Sequence, residues 1–343
     1  MCKTLNRKYI YKYGEKKEDV EIVENMLNRM RNSGTFKGEN FANIYYEKYI
    51  VEESNKAIVI CHGFSECIEK YHEIIYYFLN EGFSVYIMEH RGHGRSGCLS
   101  KSCNTQVEVE SFDYYVKDLK TFLNEVVLKD KRFNNNLYLF AHSMGGAIGT
   151  IFLENNHGYF KKVILNSPMF RINTREYSHI KCKLIAKFLI LMGKGENFIF
   201  GQKPFEEEEN LEVSGTSDKL RHGLYHKFLL ENPILRRGGG SIHWYKEAAR
   251  ATDYLMKKRN IERIDTPILL FKSEFDSYVD TKFHDEFKKV AKDCELIEVK
   301  GSKHEGFFEK DEILKIIRYY KRGCASLIIS FILIIFLIIN LHF

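Results

Sequence analysis

The sequence predicts an α/β fold: a mostly parallel central sheet flanked by helices, with a helical segment inserted into it. Two observations carry that expectation. Short apolar runs of strand length alternate with helical patterns from residue 43 to 168 and again from 266 to 322, the rhythm of a parallel sheet covered on both faces. Between roughly 170 and 263 the rhythm breaks and mainly helical patterns take over. At 343 residues the chain can bury a large core and still hold such an insertion.

The elements follow in order. Residues 15–33, "EKKEDVEIVENMLNRMRNS", predict a charged amphipathic helix in an N-terminal region, 1–39. "NIYYEKYIV", "AIVIC" and "SVYIMEH" predict strands, and "YHEIIYYFLNEG" a helix stopped by Gly82. "ESFDYYVKDLKTFLNEVVLKD" has apolar residues at helical spacing, and "LYLFAH", "GGAIGTIFLENNHG" and "KKVILNSP" continue as strand, helix and strand. This first part of the core spans 40–169. The insertion, 170–263, contains "HIKCKLIAKFLILMGKG", the acidic run Glu206 to Glu209 and "NPILRRGGGSIHWYKEAARATDYL"; it is expected to form a helical lid over the carboxyl edge of the sheet. Its apolar side chains Leu184, Ile185, Phe188, Leu189, Leu191 and Met192 suit either the cover of a greasy channel or packing onto the core. The second part of the core, 264–322, supplies "TPILLFKS", "KFHDEFKKVAKD", "CELIEVKG" and "KDEILKIIRYYKR".

Composition narrows the function classes. A net charge of +6 over the whole length, with no basic stripe interleaved with aromatics, argues against nucleic acid as a partner. The eight cysteines form no CxxC pair and no regular framework, and several lie in apolar runs, which predicts buried reduced thiols. The N-terminus lacks the apolar core of a secretory signal. A hydrophobic tail at 323–343 stands apart. Its segment 325–343, "ASLIISFILIIFLIINLHF", carries no charge, and as a helix it would cover roughly 28 Å, close to a bilayer's hydrocarbon core. Lys315, Arg318, Lys321 and Arg322 precede it, so a tail anchor with the catalytic domain facing the cytoplasm is expected; the alternative is a cytoplasmic protein.

The chemistry is expected at "LYLFAHSMGGAIGT". Ser143 follows a strand and precedes a helix, with Ala141 two residues before it and Gly145 two after. A turn that sharp brings the strand and helix backbones together, so its flanks must be small, and it exposes the serine oxygen at the start of the helix. A hydroxyl needs a base to take its proton. His304, in "ELIEVKGSKHEGFFEKDEI", lies just past a strand end and is the candidate. An acid must orient that imidazole, and "SEFDSYVD" offers Glu274, Asp276 and Asp280, of which Asp276 is favoured; the chain order is then Ser, Asp, His. The N–H groups of Phe64, after the strand "AIVIC", and Met144 are the natural oxyanion donors, with His62 holding the loop in shape. The Gly-rich turn "EHRGHGRSG" matches neither a P-loop nor a dinucleotide fingerprint and is expected to line the floor of the site. No metal spacing and no cofactor motif is evident, so neither is expected.

Five strings in order, "HGFSE", "GHGRSG", "AHSMGG", "SEFDSYVD" and "KGSKHEGFFEKD", resemble α/β-hydrolases of the monoacylglycerol lipase and lysophospholipase group over about residues 40–320. The resemblance implies Ser143 as nucleophile, Asp276 as acid, His304 as base, and Phe64 and Met144 as oxyanion donors. Ser65 departs from the pattern, standing where the lipase HGxG loop has its second glycine. The expected activity is ester hydrolysis of a single-acyl-chain lipid, a lysophospholipid or monoacylglycerol, through an acyl-enzyme. The alternatives are a small-molecule esterase or aminopeptidase of the same fold, or a catalytically silent membrane-tethered binding protein.

Overall fold

The computed structural model describes residues 17–319. An eight-stranded sheet forms its centre: β1 (Arg31–Lys37), β2 (Asn43–Tyr49), β3 (Ala57–Cys61), β4 (Ser84–Met88), β5 (Leu137–His142), β6 (Lys162–Asn166), β7 (Ile268–Ser273) and β8 (Cys294–Val299). Their order across the sheet is β1-β2-β4-β3-β5-β6-β7-β8. The pairs β1–β2 and β2–β4 are antiparallel and all others are parallel. Helices connect them: α1 (Lys17–Met30), α2 (His72–Asn80), α3 (Phe112–Phe122), α4 (Ser143–Asn155), the insertion helices α5 (His179–Leu191), α6 (Lys219–Glu231), α7 (Ile242–Leu255) and α8 (Lys258–Ile261), then α9 (Lys282–Val290) and α10 (Asp311–Tyr319).

Alternation along the central strands feeds two cores. Ala57, Val59 and Cys61 of β3 face α3 and α4 through Leu119 and Ile148. Ile58 and Ile60 face the opposite layer, where Val23 and Leu27 of α1 meet Ile75 and Leu79 of α2. Strands buried on both sides must be apolar throughout, which is why these runs show in the sequence. Each large aliphatic side chain so buried contributes roughly 1.5–3 kcal/mol.

Three expectations need correction. The helix expected over 15–33 stops at Met30, and residues 31–37 become the edge strand β1, paired with β2 from Arg31 opposite Tyr49 to Lys37 opposite Asn43. Only Phe36 of that strand is buried, so its sequence lacks the apolar alternation of a covered strand. In the insertion, Leu184, Ile185, Phe188, Leu191 and Met192 do not pack on the core: they are exposed, and of the six residues named above Leu189 alone packs inward. Cys61, Cys67 and Cys294 are buried as expected, whereas Cys98 is exposed. The tail at 323–343 lies outside the described residues; among those described, no helix is long and apolar enough to cross a membrane.

One buried group is at odds with its surroundings. Glu154 on α4 is fully buried, and neither carboxylate oxygen has a hydrogen-bond partner among the described residues. Burial pushes its carboxyl up to about 9, against a weaker pull from Arg263. The folded protein therefore holds a proton that the unfolded chain gives up near 4.5, so stability falls as pH rises from there and levels off above about 9. Glu154→Gln is expected to stabilise the fold by on the order of 2–3 kcal/mol at pH 7 and by little at pH 4.5. Urea unfolding at the two pH values checks this; an equal gain at both contradicts it.

Candidate active site

The carboxyl ends of adjacent parallel strands gather the site. His62 follows β3, Ser143 follows β5, Asp276 follows β7 and His304 follows β8. Because β3 pairs with β5, Cys61 opposite Ala141, the loop carrying Phe64 emerges beside the turn carrying Ser143.

Ser143 sits at φ 51, in the left-handed region that costs a non-glycine residue of order 1 kcal/mol or more. The neighbours show why its flanks are small. A Cβ on Gly145 would stand 2.3 Å from the Cys61 carbonyl oxygen, and one on Gly146 would stand 2.6 Å from Cβ of Pro168. Ala141 is tolerated because Gly149 lies across from it on the next turn of α4, where even a Cβ would stand 3.5 Å away. The Ser143 carbonyl accepts from Met169 N–H at 2.8 Å, which fastens the turn to the segment after β6. Contrary to the expected exposure of its hydroxyl, Ser143 is only 7 % exposed.

The structure brings Ser143, His304 and Asp276 together. Nε2 of His304 lies 2.8 Å from Ser143 Oγ, and Nδ1 lies 2.6 Å from Asp276 Oδ2. Oδ1 of Asp276 accepts from the N–H groups of Tyr278 at 2.9 Å and Val279 at 3.0 Å. Glu274 stands elsewhere. It is exposed and accepts from Gly301 N–H and Lys300. Asp280 faces the start of α9, where it accepts from Lys282 N–H. Burial opposes charge on both members of the pair. The Asp276 carboxylate nevertheless raises the His304 imidazole above 6.5, and the imidazole and two N–H groups hold the Asp276 carboxyl below its usual range.

Phe64 and Met144 occupy the two turns that meet at Ser143. Among the described residues, neither N–H is paired with a side chain or with a carbonyl outside its own helix. His62 has the shaping role expected of it. Its Nε2 accepts from His90 N–H at 2.8 Å, its Nδ1 lies 2.7 Å from the Gly63 carbonyl, and burial pushes the ring down to about 4, leaving it neutral. The Gly-rich turn, with Gly92 and Gly94 at positive φ, therefore packs behind the loop that carries Phe64, through His90.

Behind this loop lies a set of ionic contacts that the sequence did not disclose. Glu66 accepts from Gly63 N–H and the Tyr71 hydroxyl, both at 2.6 Å, and pairs with Lys70 at 2.9 Å. Lys70 also reaches Glu305 at 2.6 Å, joining the loop that carries Phe64 to the residue after His304. All three are largely buried, and the two carboxylates hold the Lys70 ammonium charged against its burial. In sequence, "SECIEKYHE" is simply a charged stretch; a contact spanning 235 residues leaves no local signal. Cys67, Glu69 and Glu89 have ligand atoms within 4.8 Å of one another, but Arg95 already pairs with both carboxylates, so the cluster is a closed ion-pair group and not a metal site.

The family model described as serine aminopeptidase, S33, matches residues 52–311. The chain belongs to that family. It is an α/β-hydrolase. Among curated relatives, lysophospholipase L2 of Escherichia coli strain K12 is 29% identical over 296 residues, covering 82% of this chain and 84% of the relative. Monoglyceride lipase of Mus musculus is 24% identical over 225 residues, 66% of each chain. Among solved structures, a soluble variant of monoglyceride lipase from Saccharomyces cerevisiae, in complex with a substrate analogue, superposes with a TM-score of 0.62 at 19% identity. It covers 84% of this chain and 92% of its own. A thermostable carboxyl esterase from Bacillus coagulans in complex with glycerol gives 0.64 at 18% identity, covering 88% and 97%. These likenesses place the sheet and its helices in the α/β-hydrolase fold.

Proposed function

We propose that this α/β-hydrolase is a serine esterase that cleaves single-acyl-chain lipids, a lysophospholipid or a monoacylglycerol, through an acyl-enzyme. The observation that carries the chemistry is the His304 ring, hydrogen-bonded to Ser143 on one side and Asp276 on the other. His304 takes the Ser143 proton as Oγ attacks the ester carbonyl. Asp276 keeps the ring oriented and stabilises its cation. The Phe64 and Met144 amides receive the oxyanion, His304 returns the proton to the leaving alcohol, and the same base then activates the water that clears the acyl group.

The lipid substrate rests on two supports. The relatives named above carry lysophospholipase and monoglyceride lipase names. Helix α5 also presents Ile180, Leu184, Phe188 and Leu191 to solvent beside exposed Lys181 and Lys187, and contains no acidic residue. An apolar face with a basic border suits contact with a lipid surface, and the insertion is proposed as a lid that meets substrate there. The tail at 325–343 remains the proposed membrane anchor, with the catalytic domain on the cytoplasmic side; fractionating cells that express the full chain and a chain ending at 324 tests it, and soluble full-length protein removes it.

The aminopeptidase alternative requires an acidic pocket for a substrate amine. Glu206, Glu207 and Glu209 are exposed and pair with Lys203, Arg236 and His222, which does not favour that role. A turnover panel tests the substrate reading. The expected order is long-chain lysophosphatidylcholine or monoacylglycerol in vesicles well above soluble short-chain esters and amino-acid amides; preference for the amides overturns it.

A further inference from the structure

We propose that Ser65 is a positioning residue: its hydroxyl ties the oxyanion loop to the inserted segment and so fixes the direction of the Phe64 amide. The proposal rests on the esterase reading above.

Ser65 adopts φ 62, a left-handed conformation uncommon for a residue with a side chain. Such a conformation persists where surrounding contacts hold it. The contact here is long-range. Ser65 Oγ donates to the Gly238 carbonyl at 2.5 Å, across 173 residues of chain. That carbonyl is itself well held. Gly238 N–H donates to Thr105 at 2.6 Å, Gly239 N–H donates to Lys203 at 2.7 Å, and Val107 N–H donates back to the Gly239 carbonyl at 3.0 Å. No side chain fits at Gly238, where a Cβ would stand 2.5 Å from Phe205 N.

The neighbouring residue is seated on the same strap. The Phe64 ring packs 4.3 Å from the Trp244 ring, and its Cζ would be 3.1 Å from a Cβ on Gly240. The other end of the loop is held by Glu66, through the Gly63 N–H, and by Lys70, which carries the restraint to Glu305 beside His304. The peptide plane bearing the Phe64 N–H is held on the core side at its Gly63 carbonyl by His62 Nδ1 at 2.7 Å, and one residue further on by the insertion, where the polar half of the anchor is the Ser65 hydroxyl. A donor is effective only when fixed in advance where charge will develop, so this bond acts on the transition state and leaves substrate binding alone.

Ser65→Gly in the full-length protein isolates the hydroxyl, because glycine takes φ 62 without strain and folding is not penalised. The expected result is a kcat lowered about tenfold, short of the roughly 100- to 1000-fold cost of losing an oxyanion donor outright. KM should stay within about twofold and the melting temperature unchanged or higher. Phosphonylation of Ser143 by a fluorophosphonate should slow in proportion, since that adduct also places an oxygen in the hole. Ser65→Asn, which tolerates the left-handed backbone and carries a donor, should recover most of the rate. Wild-type kcat in Ser65→Gly, or an asparagine variant no better than the glycine one, overturns the proposal. If the unmodified protein takes no label on Ser143, the failure belongs to the esterase reading instead.

Discussion

Replacing Ser143 with alanine is expected to lower kcat for ester hydrolysis by at least about 10⁴-fold, the scale on which removal of a nucleophile acts when base and nucleophile work as a unit. The fold should survive. The side chain contributes one hydroxyl, its partner His304 keeps Asp276, and alanine in the left-handed turn carries the same Cβ as serine. Steady-state turnover together with a thermal melt separates the two effects. A variant that retains a tenth of the activity shows that another group attacks the carbonyl.

The second large effect concerns the acid. Asp276→Asn is expected to cost on the order of 10³- to 10⁴-fold in kcat, because the amide no longer holds the imidazole in the tautomer that accepts the serine proton. Its pH profile gives an independent readout. Activity requires neutral His304, so kcat/KM should rise with pH through the imidazole's pKa, which burial opposes but Asp276 lifts above 6.5. Without the carboxylate the lift is gone while the burial stays, and the acidic limb should move to lower pH. Glu274→Gln should leave both rate and limb within about twofold, since an exposed carboxylate paired with Lys300 and Gly301 does not touch the ring. A large loss at Glu274 with little at Asp276 reverses the assignment.

The sequence was most informative where physics imposes a local pattern. Strands covered on both faces must be apolar, and β3, β4 and β5 are buried along their whole length. Ser143 stands out because the turn's steric limits demand Gly145 and Gly146. Asp276 and His304 could be placed because each follows a strand of the same sheet edge, in the order such sites take. What escaped has no local signature. The edge strand β1 is polar except at Phe36 and was absorbed into the preceding helix. Lys70 looks like one charge among several until Glu305 arrives from 235 residues away. Ser65 showed only as a missing glycine; its partner at Gly238 belongs to the tertiary fold. The apolar residues of α5 carried a helical pattern that suits a channel cover or core packing equally; Ala186, Leu189 and Ile190 pack inward, while Leu184, Ile185, Phe188 and Leu191 are left outside.

The proposed esterase chemistry requires that one hydroxyl in this chain be made nucleophilic by the groups around it. Incubating the intact protein with a fluorophosphonate probe at neutral pH and mapping the adduct by peptide mass spectrometry tests this directly. The expected result is stoichiometric modification of Ser143, absent from Ser143→Ala and slowed by Asp276→Asn. An unmodified protein, or a label that persists when residue 143 is alanine, contradicts it.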